Sequence, residues 1–254
     1  MDSAIDYDEV APSYDQRYSD RDYPGVSREL TLAAEPHRDV LEVGCGTGHW
    51  LSILEGRGKA VTGLDLSIEM LSRARACDVT VAQGSAEALP FRDGAFDLLI
   101  VINAVHHFPD KPAFIAEARR VLRPGGGVFF VGLDPSRGQD EWYVYDHFPG
   151  TLQADLTRYP ATDAISEWLS EAGFVEVVTT VAEPIVEQAD ARTYLEAGRL
   201  TKTSTSQLAL LTDHAFDAGV ERIWSEISAA ESGGGCFSLS AALKLFGTSA
   251  RLPA

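Results

Sequence analysis

The sequence predicts an α/β fold: a doubly wound, mostly parallel sheet of seven strands with an antiparallel last strand, flanked by helices. First, apolar runs of strand length alternate with helical stretches between residues 39 and 134, which is typical of doubly wound sheets. Second, the run 98–102 is apolar at every position, as expected of a strand buried on both faces of a parallel sheet. Third, 254 residues with 45% hydrophobic content suffice for one large core.

Seven segments carry the strand pattern. The predicted strands are 40–43, 60–64, 79–81, 96–102, 127–133, 174–181 and 236–246. Helix boundaries are visible between them, because Ser67 and Asp110 are placed to cap helices and Pro124–Gly127 ends the second of these. A later helix presents apolar residues at i, i+3, i+4 and i+7 and ends at Gly173.

The chain is expected to form one domain, residues 1–254, in three parts. Residues 1–35 are polar and tyrosine-rich, with a spacing that predicts a short amphipathic helix. Residues 36–184 and 235–254 form the core with its sheet. Residues 185–234 show mostly helical apolar spacing where a compact fold needs only a short hairpin, so we expect an inserted helical lid over the substrate.

The charge balance disfavours whole classes of partner. The chain has 38 acidic and 21 basic residues, a net charge of −17, whereas phosphate backbones and anionic membranes are bound by clustered Lys and Arg. We therefore expect no nucleic-acid and no membrane partner. No apolar run is long enough to span a bilayer, and the acidic start Met1–Asp6 lacks a signal-peptide pattern. The protein is therefore expected to be cytoplasmic.

Cysteine and histidine usage predicts neither a disulfide framework nor a metal centre. Cys45, Cys77 and Cys236 are far apart and form no CxxC pair. Among six histidines only His106 and His107 are adjacent. No metal is therefore expected.

A glycine-rich loop follows the first predicted strand. Gly44, Gly46 and Gly48 occupy every second position after the apolar run that ends at Val43. Glycine at such positions permits unusual backbone angles and lets a ligand approach the main chain without a Cβ in the way. The loop opens a helix near Trp50, whose free N–H groups face the same ligand. It therefore predicts a ligand site at the carboxyl edge of the sheet.

An acid at the end of the second strand indicates that the ligand contains a ribose. Asp65 lies 21 residues after Gly44, the place where a carboxylate accepts hydrogen bonds from the hydroxyls of a ribose. Together the loop and the acid indicate an adenosine-containing cofactor. NAD-binding loops typically follow the pattern GxGxxG, whereas here Glu42 precedes glycines at alternate positions and the loop has no basic residue. A carboxylate repels a pyrophosphate but suits an ammonium and a sulfonium, so electrostatics favour S-adenosylmethionine; an NAD-dependent oxidoreductase remains the more remote alternative.

The chain resembles the class I S-adenosylmethionine-dependent methyltransferases of the small-molecule type, over about residues 7–133. The matching motifs are Val40–Gly48, Gly63–Ser67, Gln83–Phe91, Phe96–Phe108 and Leu122–Gly126. The segment Tyr7–Asp15 resembles the N-terminal helix that covers the cofactor in this family.

The resemblance implies roles for the residues nearest the reacting end of the cofactor. Gly44 and Gly46 would line the methionine portion, and Glu42 would orient the loop and the ammonium. Asp65 would hold the ribose. Asn103, at the end of the fourth strand, would offer its backbone carbonyl near the ammonium.

The resemblance also implies an adenine pocket and a cover. Leu66 and Met70 would pack beside the adenine, and Ser85–Ala86 would contact its edge. Tyr14 and Tyr18 would close over the cofactor.

Candidate residues for the chemistry follow the fourth and fifth strands. His106 and His107 lie at the ligand end of the sheet, and histidine is the side chain best suited to accept a proton near neutral pH. A base is needed only if the acceptor must lose a proton. The substrate is expected to be contacted by residues after the fifth strand, namely Arg137, Trp142, Tyr143 and His147.

The expected function is transfer of a methyl group from S-adenosylmethionine to a small-molecule acceptor, most often oxygen, by in-line displacement. The stretch Ile102–Val105 lacks the Asn-Pro-Pro-aromatic pattern of nucleic-acid amino-group methylation. Transfer to nitrogen or carbon stays an alternative, as does a protein that binds the cofactor and catalyses a non-methylating rearrangement. The identity of the acceptor and the oligomeric state are left open.

Overall fold

The computed structural model describes residues 7–11, 14–15, 18, 22–76 and 79–254. One mixed sheet runs through the molecule. Its strands are β1 (Asp39–Val43), β2 (Ala60–Asp65), β3 (Thr80–Gln83), β4 (Phe96–Ile102), β5 (Leu122–Leu133), β6 (Glu141–Trp142), β7 (Val175–Asp190) and β8 (Ser238–Arg251).

The strand order confirms the predicted doubly wound topology. Strands follow the order β3-β2-β1-β4-β5-β8, and β7 pairs with the outer side of β8. Strands β1 to β5 are parallel, and the last strand, β8, is antiparallel to β5, β6 and β7. The sheet has eight strands rather than seven because β5 pairs only with the second half of β8. The two residues of β6 pair with Ala241 and Ala242 in the first half.

Helices connect the strands as the sequence predicts. They are α1 (Tyr7–Val10), α2 (Pro24–Ala34), α3 (His49–Glu55), α4 (Ile68–Arg75), α5 (Lys111–Val121), α6 (Tyr143–His147), α7 (Thr151–Arg158), α8 (Thr162–Glu171), α9 (Ala191–Glu196), α10 (Ser206–Ala209) and α11 (Asp213–Ser232). Both predicted caps are confirmed. The Ser67 hydroxyl accepts from the Met70 N–H at 3.1 Å, and the Asp110 carboxylate accepts from the Ala113 N–H at 2.9 Å. Within the described ranges, no helix combines the length and the apolar content needed to cross a bilayer.

Two hydrophobic cores lie on opposite faces of the sheet. Leu98, Ile100 and Ile102 of β4 belong to one core, and Leu99 and Val101 belong to the other. This alternation follows from the two-residue period of a strand. The first core includes residues of α2, α3, α4 and α11, and the second includes residues of α5 and α8.

The predicted helical lid begins later than expected. Residues 185–190 belong to β7 and pair with residues 238–243 of β8, so the expected start of the helical insertion at residue 185 is wrong. The reason is that β8 extends beyond β5 and is paired on its outer side along its whole length. Helices begin at Ala191, where the Asp190 carboxylate accepts from the Thr193 N–H at 2.9 Å. We call residues 191–234 the helical segment.

The helical segment packs closely on the core through α11. Phe148 is fully buried and stacks on Phe216 of α11, with 5.7 Å between ring centroids. A Cβ built on Gly219 would lie 2.2 Å from the Phe148 ring. Glycine is therefore required at this position by the approach of a rigid aromatic ring.

We predict that Gly219→Ala destabilises the protein by about 1–3 kcal/mol, the typical cost of overpacking a core. Helix propensity alone would give the opposite sign, a gain of about 0.5–1 kcal/mol. Urea unfolding followed by circular dichroism measures the change. Gly56→Ala is the matched control, since a Cβ there meets its nearest atom at an ordinary 3.4 Å. A Gly219→Ala protein more stable than the parent would contradict this packing.

Candidate active site

The glycine loop lies at the carboxyl end of β1 and is held against β2. Gly44, Gly46 and Gly48 have φ angles of 76°, 53° and 82°, a region that favours glycine. The Gly44 and Cys45 N–H groups both donate to the Leu64 carbonyl, at 2.7 and 3.1 Å. The loop therefore depends on its glycines for a turn that the end of β2 holds in place.

Asp65 reaches from the end of β2 to the same loop. Its carboxylate accepts hydrogen bonds from the Gly46 N–H at 2.8 Å and the Ser67 N–H at 2.9 Å. Burial raises the pKa of Asp65, and these backbone hydrogen bonds partly oppose that shift. The structure thus brings the predicted acid and the predicted loop into direct contact.

Glu42 is a buried acid of the site whose hydrogen bonding is incomplete. It is 1% exposed, and its Oε2 atom is buried without a hydrogen-bond partner among the residues that the structure describes. Burial, with a smaller contribution from the nearby Asp65 charge, raises the pKa of Glu42 well above its usual range. A buried acceptor without a donor costs free energy, so this site fits a ligand that brings a cationic donor to the loop.

The predicted adenine residues surround the start of α4 and the end of β3. Met70 and Ala86 are buried, whereas Leu66 is 72% exposed. The Gln83 side chain donates to the Leu66 carbonyl at 3.0 Å, and Ser85 donates to the Glu87 carboxylate. Leu66 therefore offers an open apolar surface of the kind that packs against a flat base.

Three described residues before β1, Tyr14, Asp15 and Tyr18, lie against the loop or the helix it opens. The Tyr14 ring is 3.5 Å from the place where a Cβ at Gly46 would be. The Thr47 hydroxyl donates to the Asp15 carboxylate at 2.6 Å. The Tyr18 ring stacks on the ring of His49, the first residue of α3, with 3.8 Å between the centroids. The two tyrosines predicted to cover the cofactor are thus placed over the glycine loop and the helix it opens.

The end of β4 presents the two adjacent histidines in different directions. Asn103 has a left-handed φ of 52° and starts the turn into this segment. His106 is buried, and its ring stacks on Tyr159 with 3.9 Å between centroids. The His107 Nε2 atom lies 2.5 Å from the Tyr7 hydroxyl of α1. One histidine therefore faces the end of α7 and the other faces the N-terminal segment.

Arg137, a predicted substrate residue, is engaged by its neighbours. Its guanidinium donates to the Asp134 carboxylate at 3.1 Å and to the Thr162 hydroxyl at 2.7 Å. It also lies 4.7 Å above the centroid of the Phe246 ring. These contacts hold the start of α8 against the end of β5.

The remaining predicted substrate residues contact the helical segment and its borders. Trp142 is buried, and Tyr143 packs edge-on against Tyr194 of α9 with 6.3 Å between centroids. His147 lies 5.8 Å from the Phe237 ring, and its Nδ1 is 2.9 Å from the Tyr143 carbonyl. Whether they touch a substrate stays a prediction.

A buried polar cluster near His106 was missed by sequence reasoning. Asp155 of α7 is fully buried and accepts hydrogen bonds from Tyr145 at 2.7 Å, Gln207 at 2.7 Å and Arg158 at 2.9 Å. The sequence signal is the Thr151–Asp155 spacing, which places polar side chains on the inner face of an amphipathic helix. Two of the three partners, Tyr145 and Gln207, come from α6 and α10, which no local pattern connects to α7.

Two surface cavities lie away from this site. One, of about 480 Å³, is lined by the first residues of β1 to β4, which are Asp39, Ala60, Thr80 and Phe96. The other, of about 700 Å³, lies between α5 and α8. Ligands of open α/β sheets bind at the carboxyl ends of the strands, so the first cavity lies at the opposite edge from the glycine loop.

Comparisons with known proteins match this chain to methyltransferases. Residues 41–130 match the model of a family described as methyltransferase domain. An uncharacterised methyltransferase of Synechocystis sp. is 33% identical over 150 residues, which cover 58% of this chain and 71% of that protein. The malonyl-[acyl-carrier protein] O-methyltransferase of Serratia marcescens is 36% identical over 119 residues, covering 45% of this chain and 47% of that protein.

The fold is shared with solved structures as well. A methyltransferase structure from an antibiotic biosynthesis pathway of Anabaena variabilis covers 87% of this chain and 96% of its own, with a TM-score of 0.62 and 20% identity. The chain spans about half the length of the first curated relatives it matches, 53% and 41%. The Synechocystis protein, however, is matched over more than two thirds of its length. Together with the strand order and the glycine loop, this match shows that the chain belongs to the class I S-adenosylmethionine-dependent methyltransferases.

Proposed function

We propose that this chain transfers a methyl group from S-adenosylmethionine to a small-molecule acceptor, with oxygen as the accepting atom. The observation that carries the proposal is the buried Glu42 carboxylate, whose Oε2 has no donor among the described residues, directly beneath the glycine loop. The name of the Serratia relative, an O-methyltransferase, supports transfer to oxygen. The charge of −17 favours a small acceptor over a polyanion.

The residues present fit this cofactor. Glu42 supplies a carboxylate for the ammonium group, and Asp65 supplies one for the ribose hydroxyls. Gly46 has no side chain between its backbone and the Tyr14 ring. The exposed Leu66 side chain provides an apolar surface for the adenine. Each part of the nucleoside therefore has a partner of matching chemistry.

The protein's part in the reaction is to align the reactants and exclude water. When bound, the cofactor supplies a methyl group on a sulfonium, so an acceptor atom in line with the carbon–sulfur bond displaces a neutral thioether. The hydrogen-bonded glycine loop and Asp65 hold the methyl donor in one position, and this orientation lowers the barrier to methyl transfer. Tyr14 and Tyr18 cover the loop and keep water out, which strengthens the electrostatic interactions inside.

His106 and His107 are the groups that would accept a proton from a hydroxyl acceptor. Both follow β4, at the ligand end of the sheet. The His107 Nε2 atom is hydrogen-bonded to the Tyr7 hydroxyl, and this contact holds the imidazole in one orientation. His106 is held by its stack on Tyr159.

We propose further that the helical segment covers the acceptor. It lies beside the aromatic residues that follow β5, as the contact between Tyr143 and Tyr194 shows. Its residue Gln207 reaches the buried cluster next to His106. Helices that differ between family members and cover the acceptor allow one fold to act on different acceptors.

Calorimetric titration tests the proposed cofactor. S-adenosylmethionine and S-adenosylhomocysteine are expected to bind, and NAD is not, because Glu42 would repel its pyrophosphate. Transfer of labelled methyl to a panel of hydroxyl and carboxyl compounds then tests the reaction. NAD binding without S-adenosylmethionine binding would overturn the proposal.

Asp65→Ala should weaken binding of S-adenosylhomocysteine by about 1.5–3 kcal/mol, the range for hydrogen bonds that involve a charged group. Calorimetry measures the change. Asp190→Ala is the control, since that exposed aspartate caps α9 far from the loop. An unchanged affinity in Asp65→Ala would remove this residue from the ribose role.

The raised pKa of Glu42 predicts a pH dependence. Affinity for S-adenosylmethionine should fall as the pH drops through that raised pKa, because the protonated acid no longer attracts a cation. Glu42→Gln should bind the cofactor more weakly and with a flatter pH profile.

The same shift predicts a stability change of known sign. Between the ordinary and the raised pKa of Glu42, the folded protein binds more protons than the unfolded chain, so ligand-free stability falls as pH rises through this window. Glu42→Gln should therefore melt at a higher temperature than the parent at neutral pH. Glu69→Gln, an exposed acid of α4, is the control. A Glu42→Gln protein that is less stable and binds the cofactor normally would contradict the assignment.

Effects on turnover and on cofactor binding show whether His106 or His107 acts as the base. With a hydroxyl acceptor, replacing the acting base by Asn should lower kcat about 10²–10⁴-fold and leave S-adenosylhomocysteine affinity within about twofold. His106→Asn and His107→Asn are compared with His214→Asn, an exposed residue of α11. Full turnover in both variants would make the two rings structural.

A further inference from the structure

The buried cluster beside His106 contains a cation that is only partly used. Arg158 ends α7, and its Nε donates to the Asp155 carboxylate at 2.9 Å. Its Nη2 donates to the Ser206 hydroxyl of α10 at 2.8 Å. Its Nη1 is buried and has no hydrogen-bond partner among the described residues of the chain. One of the three guanidinium nitrogens therefore lacks an acceptor.

No neighbouring group among the described residues accepts a hydrogen bond from that nitrogen. Asp155 already accepts from Tyr145 and Gln207 as well as Arg158. The Tyr159 hydroxyl instead accepts from the Gln207 side-chain amide, 3.5 Å away. The guanidinium carbon lies 5.1 Å from the centroid of the Tyr159 ring, which attracts the positive charge but offers no oxygen.

A buried guanidinium nitrogen without an acceptor destabilises the folded protein, so its presence suggests that a ligand supplies the acceptor. Arginine has five N–H donors in a planar fork, and a buried donor without an acceptor costs the full desolvation of that group. Here the fork is fixed, since two of its nitrogens are bound by α7 and by the helical segment. The third nitrogen is preorganised for an oxygen that the described residues do not provide.

The position of this nitrogen connects it to the proposed reaction. Tyr159 is the next residue after Arg158, and its ring stacks on His106 at 3.9 Å. His106 lies three residues after Asn103, at the end of β4. The unsatisfied nitrogen is therefore one ring removed from the side chains at the ligand edge of the sheet.

We propose that Arg158 binds an anionic oxygen of the methyl acceptor, as in a carboxylate, beneath the helical segment. This inference rests on the proposed methyl transfer and names the substrate class of the same site. A protein of charge −17 repels anions at long range. An acidic acceptor therefore needs a local cation inside the pocket, and Arg158 is the one that the cluster holds there. Entry requires movement of the helical segment, because Ser206 and Gln207 close the cluster.

Binding of matched ligand pairs to the S-adenosylhomocysteine complex tests the proposal. Each pair shares one skeleton and differs in carrying a carboxylate or a primary amide, and a phosphate monoester forms a third arm. The parent protein should bind the acid at least about tenfold more tightly than the amide, the range for a charge-assisted hydrogen bond. Tighter binding of the phosphate arm would identify that group as the source of the anionic oxygen.

The variants are chosen so that folding is preserved. Arg158→Gln alone would leave the buried Asp155 charge unpaired, so it is combined with Asp155→Asn, which removes both partners together. Arg158→Lys keeps the charge and loses the fork. Both should reduce the preference for the acid about tenfold or more, with S-adenosylhomocysteine affinity unchanged. Arg192→Gln is the matched control, an arginine of α9 that is paired with Glu231.

The outcomes separate this proposal from the proposed function. Equal binding of acids and amides, an acid preference that survives in both variants, or no binding of any acid at millimolar concentration would overturn the role of Arg158. If an adventitious buried water were the only partner of Nη1, any acid preference would survive in both variants. Failure of the parent protein to bind S-adenosylhomocysteine would overturn the methyl transfer itself.

Discussion

The turn between β1 and α3 is the constraint on which the rest of the site depends. Its backbone is fixed by two N–H groups on the Leu64 carbonyl and by the Gly46 N–H on the Asp65 carboxylate. The parallel register that pairs Glu42 with Gly63 brings these groups together. A Cβ at Gly63 would lie 2.6 Å from the Cys45 sulfur, so a small residue on β2 allows the loop to approach. The loop conformation, the sheet register and the position of the acid are therefore one interdependent arrangement.

That arrangement places a cost on the ligand-free protein. Glu42 is buried beside a second carboxylate, and both have raised pKa values because of burial. The loop contains no cation that would offset this cost. In the proposed complex, a cationic nucleoside would convert this cost into affinity, since its ammonium would meet an acceptor that needs no reorganisation. Poor stability of the empty site and recognition of a positively charged ligand thus have the same physical cause.

Much of the parallel sheet and of the glycine-loop site could be predicted because their signals lie in short stretches of sequence. Residues 98–102 of β4 form a continuous apolar run, and Ser67 and Asp110 cap their helices through side chains three residues from the bonded N–H. The glycine loop and Asp65 are likewise marked by spacing alone. Residues 185–190 were misassigned because an edge strand needs few apolar residues, and only its partner β8 reveals it. The Asp155 cluster was missed because Gln207 is 52 residues away in sequence.

The nature of the acceptor decides how the two buried clusters work together. A hydroxyl acceptor must lose a proton, and in the proposed mechanism one of the histidines after β4 would accept it. A carboxylate that is itself methylated carries its charge already, and transfer to a sulfonium then yields a neutral ester and a neutral thioether with no proton released. In that case His106 serves Arg158 by holding the Tyr159 ring beneath the guanidinium. An anion bound only as an anchor would instead require both the histidine and the arginine. The sensitivity of turnover to His106 therefore reports which oxygen of the acceptor faces the methyl group.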